Sequence, residues 1–174
     1  VVGQQMDYLR SVDKGFEQNA ILTINIPGGD YPKLNQLRSE ILAHPNIDNM
    51  SYATGIPMTD NESTYGTDYH LPHETEEQGR LAEMKVVDLN YLDLYDLKMI
   101  AGKWLTQANA DARFFNGFIA NEALVEKLGM TPEEVIGQQL FINEGDARII
   151  GVVENFNNNP MQEAVSPCLI FHYG

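Results

Sequence analysis

The chain has 174 residues, of which 43% are hydrophobic and 21% are charged. These fractions are close to the averages of soluble globular proteins and exclude a disordered chain, so we expect a domain with an apolar core. Eleven Lys and Arg oppose 25 Asp and Glu, and the resulting formal net charge of -14 excludes nucleic acid as a natural partner, because its phosphates would be repelled.

Residues 20–54 predict a strand-helix-strand unit. Residues 20–26 alternate apolar and polar side chains, as a half-buried strand does, and residues 46–53 are interpreted as a second strand. Between them, an apolar stripe at helical spacing predicts a helix. The residues of this stripe are Leu34, Leu37 and Ile41. Ahead of the unit, residues 4–12 predict a further helix.

Residues 55–79 are rich in Gly, Pro, Thr and acidic residues, which favours an excursion over the surface. From residue 39 to residue 79 there is no Lys or Arg. The acidic residues of this stretch are Glu40, Asp48, Asp60, Glu62, Asp68, Glu74, Glu76 and Glu77. We expect a hydrated negative surface there. Asp60, Asn61 and Glu62 lack the spacing of an EF-hand loop, and cation binding by this stretch stays open.

The second half of the chain alternates strand and helix patterns. Strands are expected at residues 81–87, 97–100, 114–119, 139–142 and 147–153, the last two forming a hairpin. Helices are expected after Asp88, Asn121 and Thr131, three residues that can cap a helix N-terminus. The mixed order of the elements indicates an α+β fold.

His70, His73 and Glu74 are the candidate metal ligands, because two imidazoles and a carboxylate can bind zinc. Pro72 prevents a regular helix from presenting both imidazoles on one face, and no further ligand is fixed by spacing. A solvated loop is therefore the preferred interpretation, and we expect no metal.

Other candidate sites have structural explanations. Cys168 is the only cysteine and lies in an apolar run, as a buried residue does. The turn at residues 27–29 lacks the spacing and the Lys of an ATP-binding loop. The aromatic residues Trp104, Phe114, Phe115 and Phe118 are expected to pack in a core or between lobes. We predict no catalytic, cofactor-binding or metal-binding residue, and hence no enzyme.

Four segments, in matching order and spacing, resemble the periplasmic core domain of MacB-like, FtsX-related ABC transporter permeases. They are residues 13–21, residues 91–104, residues 119–138 and residues 149–156. Lys103 stands where the family usually has Arg. Asn155 and Asn157 stand where it commonly has Asp and His, so the subfamily stays open.

The resemblance implies an α+β fold with a mixed sheet built on strand-helix-strand units and a second, inserted α+β lobe, expected at residues 104–150. Residues 1–16 would be a juxtamembrane helix and junction, and residues 17–174 the extracytoplasmic core domain. Both ends of the chain then correspond to cuts in a longer, membrane-embedded protein.

The resemblance also implies a location on the periplasmic side of the inner (cytoplasmic) membrane. The domain would transmit ATP-driven membrane motion to periplasmic partners or cargo. Its partners would be a second permease copy, the cytoplasmic ATPase of the transporter and a periplasmic adaptor or envelope protein. Two alternatives stay open: a regulatory scaffold that controls a cell-wall hydrolase, and a metal-dependent hydrolase that uses His70, His73 and Glu74. The sequence does not identify a cargo.

Overall fold

The structure, a computed structural model, describes residues 21–26, 31–54, 65–111, 117–142, 145–156 and 164–172. Its helices are α1 (Tyr31–Leu42), α2 (Tyr91–Leu94), α3 (Gln107–Asp111), α4 (Glu122–Leu128) and α5 (Pro132–Val135), with a 3-10 turn at Glu76–Gln78. Its strands are β1 (Tyr65–His70), β2 (Arg80–Val87), β3 (Met99–Gly102), β4 (Phe118–Asn121), β5 (Gln139–Ile142), β6 (Gly145–Val153) and β7 (Cys168–His172).

The described strands form one mixed sheet in the order β3-β6-β4-β7-β2-β1-β5. The pairs β2–β7 and β4–β6 are parallel, and the other pairs are antiparallel. Strand β5 also pairs with β6, so the sheet closes on itself through six strands while β3 continues the same sheet beside β6. The predicted α+β class with a mixed sheet is confirmed.

The central strands β4 and β7 are buried on both faces of the sheet. In β7, Leu169 and Phe171 enter one core, which α4 and α5 cover. Cys168 and Ile170 face a second core, together with Tyr91 of α2. Burial on both faces explains the continuous apolar run at the end of the chain, and it confirms Cys168 as a buried residue.

Helices α4 and α5 begin after the two capping residues that the sequence indicates. The Asn121 side chain accepts a hydrogen bond from the Leu124 N–H, and Gly129 ends α4 in the left-handed conformation with φ 68°. Thr131 forms the predicted capping box, with Glu134 as its reciprocal partner. The predicted hairpin of β5 and β6 is also confirmed.

The region around α1 differs from the predicted strand-helix-strand unit. Helix α1 forms, but residues 21–26 are not assigned to a strand, and of residues 46–53 only Ala53 makes a β-bridge, with Val87. Leu22 is 83% exposed, so this side chain of the alternating pattern does not pack on the described sheet. The flanking strands are therefore not confirmed. The helix predicted at residues 4–12 lies outside the described residues.

The surface excursion expected at residues 55–79 is wrong for the part that β1 occupies. Strand β1 pairs with β2 and β5, and its Thr67 and Tyr69 side chains are buried. The negative surface is confirmed for the acidic residues of the 39–79 stretch that are described and exposed. These are Glu40, Asp48, Asp68, Glu76 and Glu77.

Strands β4 and β5, which fall within residues 104–150, and β6, which begins there and ends at Val153, share one sheet with β7 and β1. They are integral to that sheet. An inserted lobe with those limits, and the boundary between residues 16 and 17, stay predictions. Within the described ranges, no helix has the length and apolar character needed to cross a membrane.

Candidate functional site

Asp88 lies directly after β2, and its carboxylate joins three parts of the chain. The Arg38 guanidinium on α1 forms an ion pair with Oδ2. The same oxygen accepts a hydrogen bond from the Tyr52 N–H at 3.0 Å. Oδ1 accepts hydrogen bonds from the Ser51 hydroxyl at 2.6 Å and from the Asn90 N–H at 3.1 Å. These five residues are called the Asp88 junction below.

Backbone hydrogen bonds fix the position of the junction at the end of β2. The Asp88 N–H donates to the Tyr52 carbonyl at 3.0 Å, and the Thr54 N–H donates to the Val86 carbonyl at 2.8 Å. The Thr54 hydroxyl oxygen accepts a hydrogen bond from the Val86 N–H at 2.9 Å. Residues 52–54 therefore run along β2 and bring Ser51 and Tyr52 to the carboxylate.

The Tyr52 side chain connects the junction to α1. Its hydroxyl donates to the Leu34 carbonyl at 2.6 Å, and the Arg38 guanidinium lies 5.2 Å from its ring centroid. Burial raises the pKa of the Tyr52 hydroxyl, while the Arg38 charge lowers it and the Asp88 charge raises it. Tyr52 thus stays a neutral donor near neutral pH.

The contacts of the Asp88 junction attach separate segments of the chain to one another. The Asp88 carboxylate faces Arg38 and accepts hydrogen bonds from Ser51, Tyr52 and Asn90, which satisfies both of its oxygens. The Arg38 and Asp88 side chains are 23% and 14% exposed, so solvent screens this pair less than it screens a surface pair. The arrangement therefore holds α1 and the 49–54 connection to the end of β2.

Asn121 forms a second junction inside the domain. Its side-chain oxygen accepts hydrogen bonds from the Leu124 N–H at 3.1 Å and the Cys168 N–H at 2.9 Å. Its amide group donates to the Ser166 carbonyl at 2.8 Å. The residue is fully buried, so one amide both starts α4 and aligns the beginning of β7 beside β4.

In the structure, the Glu74 carboxylate contacts the Arg80 guanidinium and the Leu71 backbone. Arg80 forms an ion pair with the Glu74 carboxylate, with Nη1 lying 2.8 Å from Oε2, and the Leu71 N–H donates to the same oxygen at 2.8 Å. The Arg80 hydrogen bonds, followed by the Leu71 hydrogen bond, lower the pKa of Glu74 to about 2. The His70 ring stacks on Phe141 at 5.2 Å. Glu74 is therefore engaged by a cation, and within the described ranges no three His, Cys, Asp or Glu side chains are grouped as metal ligands.

The two described aromatic candidates pack in the cores, as the sequence predicts. The Trp104 indole N–H donates to the Leu89 carbonyl at 3.1 Å, and its ring packs against the second core. Phe118 is fully buried in the first core, with its ring centroid 5.5 Å from that of Phe171. Residues outside the described ranges include Phe114, Phe115, Asp60, Glu62 and the turn at 27–29.

Sequence reasoning did not identify the Asp88 junction. Asp88 was expected to cap α2, whereas Asn90 is the N-cap residue and Asp88 accepts the Asn90 N–H. Arg38 and Asp88 are 50 residues apart, and no local pattern links them. Asn121, in contrast, was identified as a helix cap, although its contacts with Ser166 and Cys168 could not be predicted.

No family model matches this sequence, and no curated protein matches it. Among solved structures, the chain is similar to the periplasmic region of MacB from Actinobacillus actinomycetemcomitans, with a TM-score of 0.54 and 16% identity over 79% of this chain and 54% of that one. It is also similar to the extracellular domain of the noncanonic ABC-type transporter YknZ from Gram-positive bacteria, with a TM-score of 0.54 and 13% identity over 79% of this chain and 60% of that one.

The chain thus spans between half and two thirds of the length of these two proteins. The similarity bears on the fold, because the identities are low. This similarity of fold agrees with the sequence analysis, in which four segments of the chain resemble MacB-like permeases. The chain therefore has the fold of the extracytoplasmic regions of MacB-like ABC transporters.

Proposed function

We propose that this chain is the extracytoplasmic domain of an ABC transporter permease and that it transmits ATP-driven membrane motion to periplasmic partners or cargo. The observation that carries the proposal is the fold shared with the periplasmic region of MacB and the extracellular domain of YknZ. Fold alone does not fix function, so the arrangement of the side chains has to be compatible with the proposed role.

The polar side chains of the described junctions support a mechanical role. Asn121 and Glu74 each bind backbone or side-chain donors from separate segments of the chain. Such contacts fix the relative positions of segments, which a domain that transmits motion as a body requires. The carboxylate of Glu74 is held by Arg80, which does not favour the alternative of a metal-dependent hydrolase.

The proposal includes the arrangement in the membrane. Residues 17–174 would lie on the periplasmic side of the inner membrane, with residues 1–16 as the junction to a membrane helix and residues 104–150 as the inserted lobe. A second permease copy and a cytoplasmic ATPase would complete the transporter. A periplasmic adaptor or envelope protein would bind this domain. The net charge of -14 favours a basic or neutral contact surface on such a partner.

The location can be tested in cells by labelling the parent protein with a membrane-impermeant maleimide. Lys127 is exposed on α4, so Lys127→Cys provides a reactive position. Cys168, the only cysteine of this chain, is buried in β7, and the parent protein without the substitution is the matched control for background labelling. The proposal predicts that the maleimide labels Lys127→Cys in spheroplasts whose cytoplasmic membrane is intact. Labelling only after the membrane is disrupted contradicts it.

The nature of the partner is tested by cross-linking in the same cells, followed by purification of the parent protein. Capture of an adaptor or envelope protein supports the transport role. Capture of a cell-wall hydrolase, with no adaptor, contradicts transport and favours the regulatory scaffold.

A further inference from the structure

The α1 segment, defined as residues 31–54, is attached to the rest of the described structure differently from the other elements. None of the described residues of this segment belongs to either apolar core or packs against one. The apolar stripe of α1 is only half-buried, and Leu42 and Ile47 at its end are exposed. As described, the two apolar cores therefore do not extend to the α1 segment.

Polar contacts hold the α1 segment instead. Those that the structure describes include the Asp88 junction, the hydrogen bonds of residues 52–54 with β2, and the contact of the Asn90 amide with the Met50 carbonyl at 3.3 Å. Hydrogen bonds weaken steeply as the donor and acceptor separate or lose alignment, whereas an apolar core has to open over a large area. The segment can therefore detach while both cores stay intact.

We propose that the Asp88 junction is a releasable attachment, and that its release frees the α1 segment to move relative to the sheet as a local opening of the domain. Arg38 and Asp88 are the central contacts, because this ion pair is the described charge-assisted contact between α1 and the end of β2. The other contacts of Asp88 lie within the connection from α1 to β2 or at the start of α2. Release of the α1 segment thus requires the separation of the Asp88 carboxylate from its donors, together with the loss of the hydrogen bonds between residues 52–54 and β2.

The inference goes beyond the proposed function, since it concerns motion within this chain alone. An α1 segment that opens locally would be present whether or not the parent protein is a transporter. In a transporter, the same opening would change how membrane motion reaches the sheet. Failure of this inference would leave the location and partners proposed above untouched.

The test is hydrogen exchange, measured by mass spectrometry on the purified chain and on Asp88→Asn. Asparagine keeps an acceptor for the Ser51 hydroxyl and removes the charge that binds Arg38. Hydrogen bonds to charged groups change an equilibrium constant by roughly tenfold or more, so amides of α1 and residues 43–54 are expected to exchange at least about tenfold faster. Peptides from β4 and β7 are expected to keep the exchange rates of the unsubstituted chain.

Asp96→Asn is the matched control, because it also removes one carboxylate from an ion pair, the exposed pair with Lys98. It is expected to leave the exchange of the α1 segment unchanged. Arg38→Gln removes the other partner of the junction and is expected to reproduce the effect of Asp88→Asn. It also serves as the test variant if Asp88→Asn does not fold.

Two results would overturn the inference. In the first, exchange in the α1 segment and in β7 rises together in both junction variants, which means that the segment unfolds only with the whole domain. In the second, exchange in the α1 segment is unchanged in both, which means that the Asp88 junction does not control the attachment.

Discussion

Glu122 and Asn155, 33 residues apart in the sequence, hold the start of α4 to the end of β6. The Asn155 N–H donates to Glu122 Oε2 at 2.8 Å, and the Asn155 side-chain oxygen accepts a hydrogen bond from the Ala123 N–H at 2.9 Å. Two of the sequence segments that resemble MacB-like permeases therefore meet at this contact. The polar residues of these segments have a structural role in fixing α4 on the sheet.

Replacement of Asn155 tests this contact. Asn155→Ala removes the acceptor of a helix N–H and is expected to lower the free energy of unfolding by about 1 kcal/mol. Asn155→Asp, which introduces the residue common in the family, keeps an oxygen at the same position and is expected to cost less than the Ala variant. Urea denaturation of the two variants measures the difference. Equal losses would show that the acceptor does not matter.

Asn121→Ala is expected to be far more destabilising, because its amide is fully buried and binds Leu124, Ser166 and Cys168. The loss of the helix cap, together with the buried backbone groups left without a hydrogen-bond partner, should lower the free energy of unfolding by about 3 kcal/mol or more. Thr131→Ala removes an exposed helix cap of the same kind and is the control, with an expected cost of about 1 kcal/mol. A denaturation midpoint as high for Asn121→Ala as for Thr131→Ala would contradict the role of the Asn121 junction.

Glu74 makes the stability of the chain depend on pH. Its pKa of about 2 in the folded protein is below the ordinary value of 4.5, so ionised Glu74 stabilises the fold above pH 4.5, and the contribution is lost as the pH falls towards 2. The chain is expected to melt at a higher temperature than Glu74→Gln near neutral pH, and the two melting temperatures should converge below pH 4.5. A difference that is the same at all pH values would show that the Arg80 contact does not act through this charge.

Gly102 is required for the approach of β3 to β6. It has φ 71°, and a Cβ at this position would lie 2.8 Å from the Gly151 Cα and 2.8 Å from the Ile136 Cδ1. Gly102→Ala therefore combines backbone strain with a steric conflict and is expected to cost about 3 kcal/mol or more. Gly129→Ala has nearly the same φ but no atom within 4 Å, so its expected cost is about 1 to 2 kcal/mol. Equal unfolding free energies for the two variants would contradict the close approach.

Local signals predicted helices α1, α2, α4 and α5 but not α3, and non-local contacts explain most of the other differences. Asn121 and Thr131 cap helices through residues only three positions away, so the sequence alone indicates both. In β1, alternating Thr67 and Tyr69 carry a strand signal, but Gly66 and the surrounding acidic residues favoured a surface loop. The partners of β1 lie in β2 and β5, and only their pairing makes the strand.

The Asp88 junction and residues 21–26 both show that local sequence patterns do not determine contacts between distant residues. The alternation of residues 21–26 predicted a strand, yet Ile24 is 65% exposed and nothing in the described sheet pairs with this segment. No sequence pattern indicates the Arg38–Asp88 ion pair, because the two residues are 50 positions apart and only the fold brings their side chains together. The candidate attachment could therefore be found only in the structure.

The central claim, that this domain moves with the ATP cycle of a transporter, is tested most directly by spin labels at Lys127→Cys in the parent protein. Pulsed electron paramagnetic resonance then measures the distance between the labels of the two permease copies. Within this chain, Cys168 is buried, so the exposed position on α4 is the one that the spin label reaches. The account predicts that the distance distribution shifts between the nucleotide-free and the ATP-bound protein. An identical distribution in both states, while ATP hydrolysis continues, would contradict it.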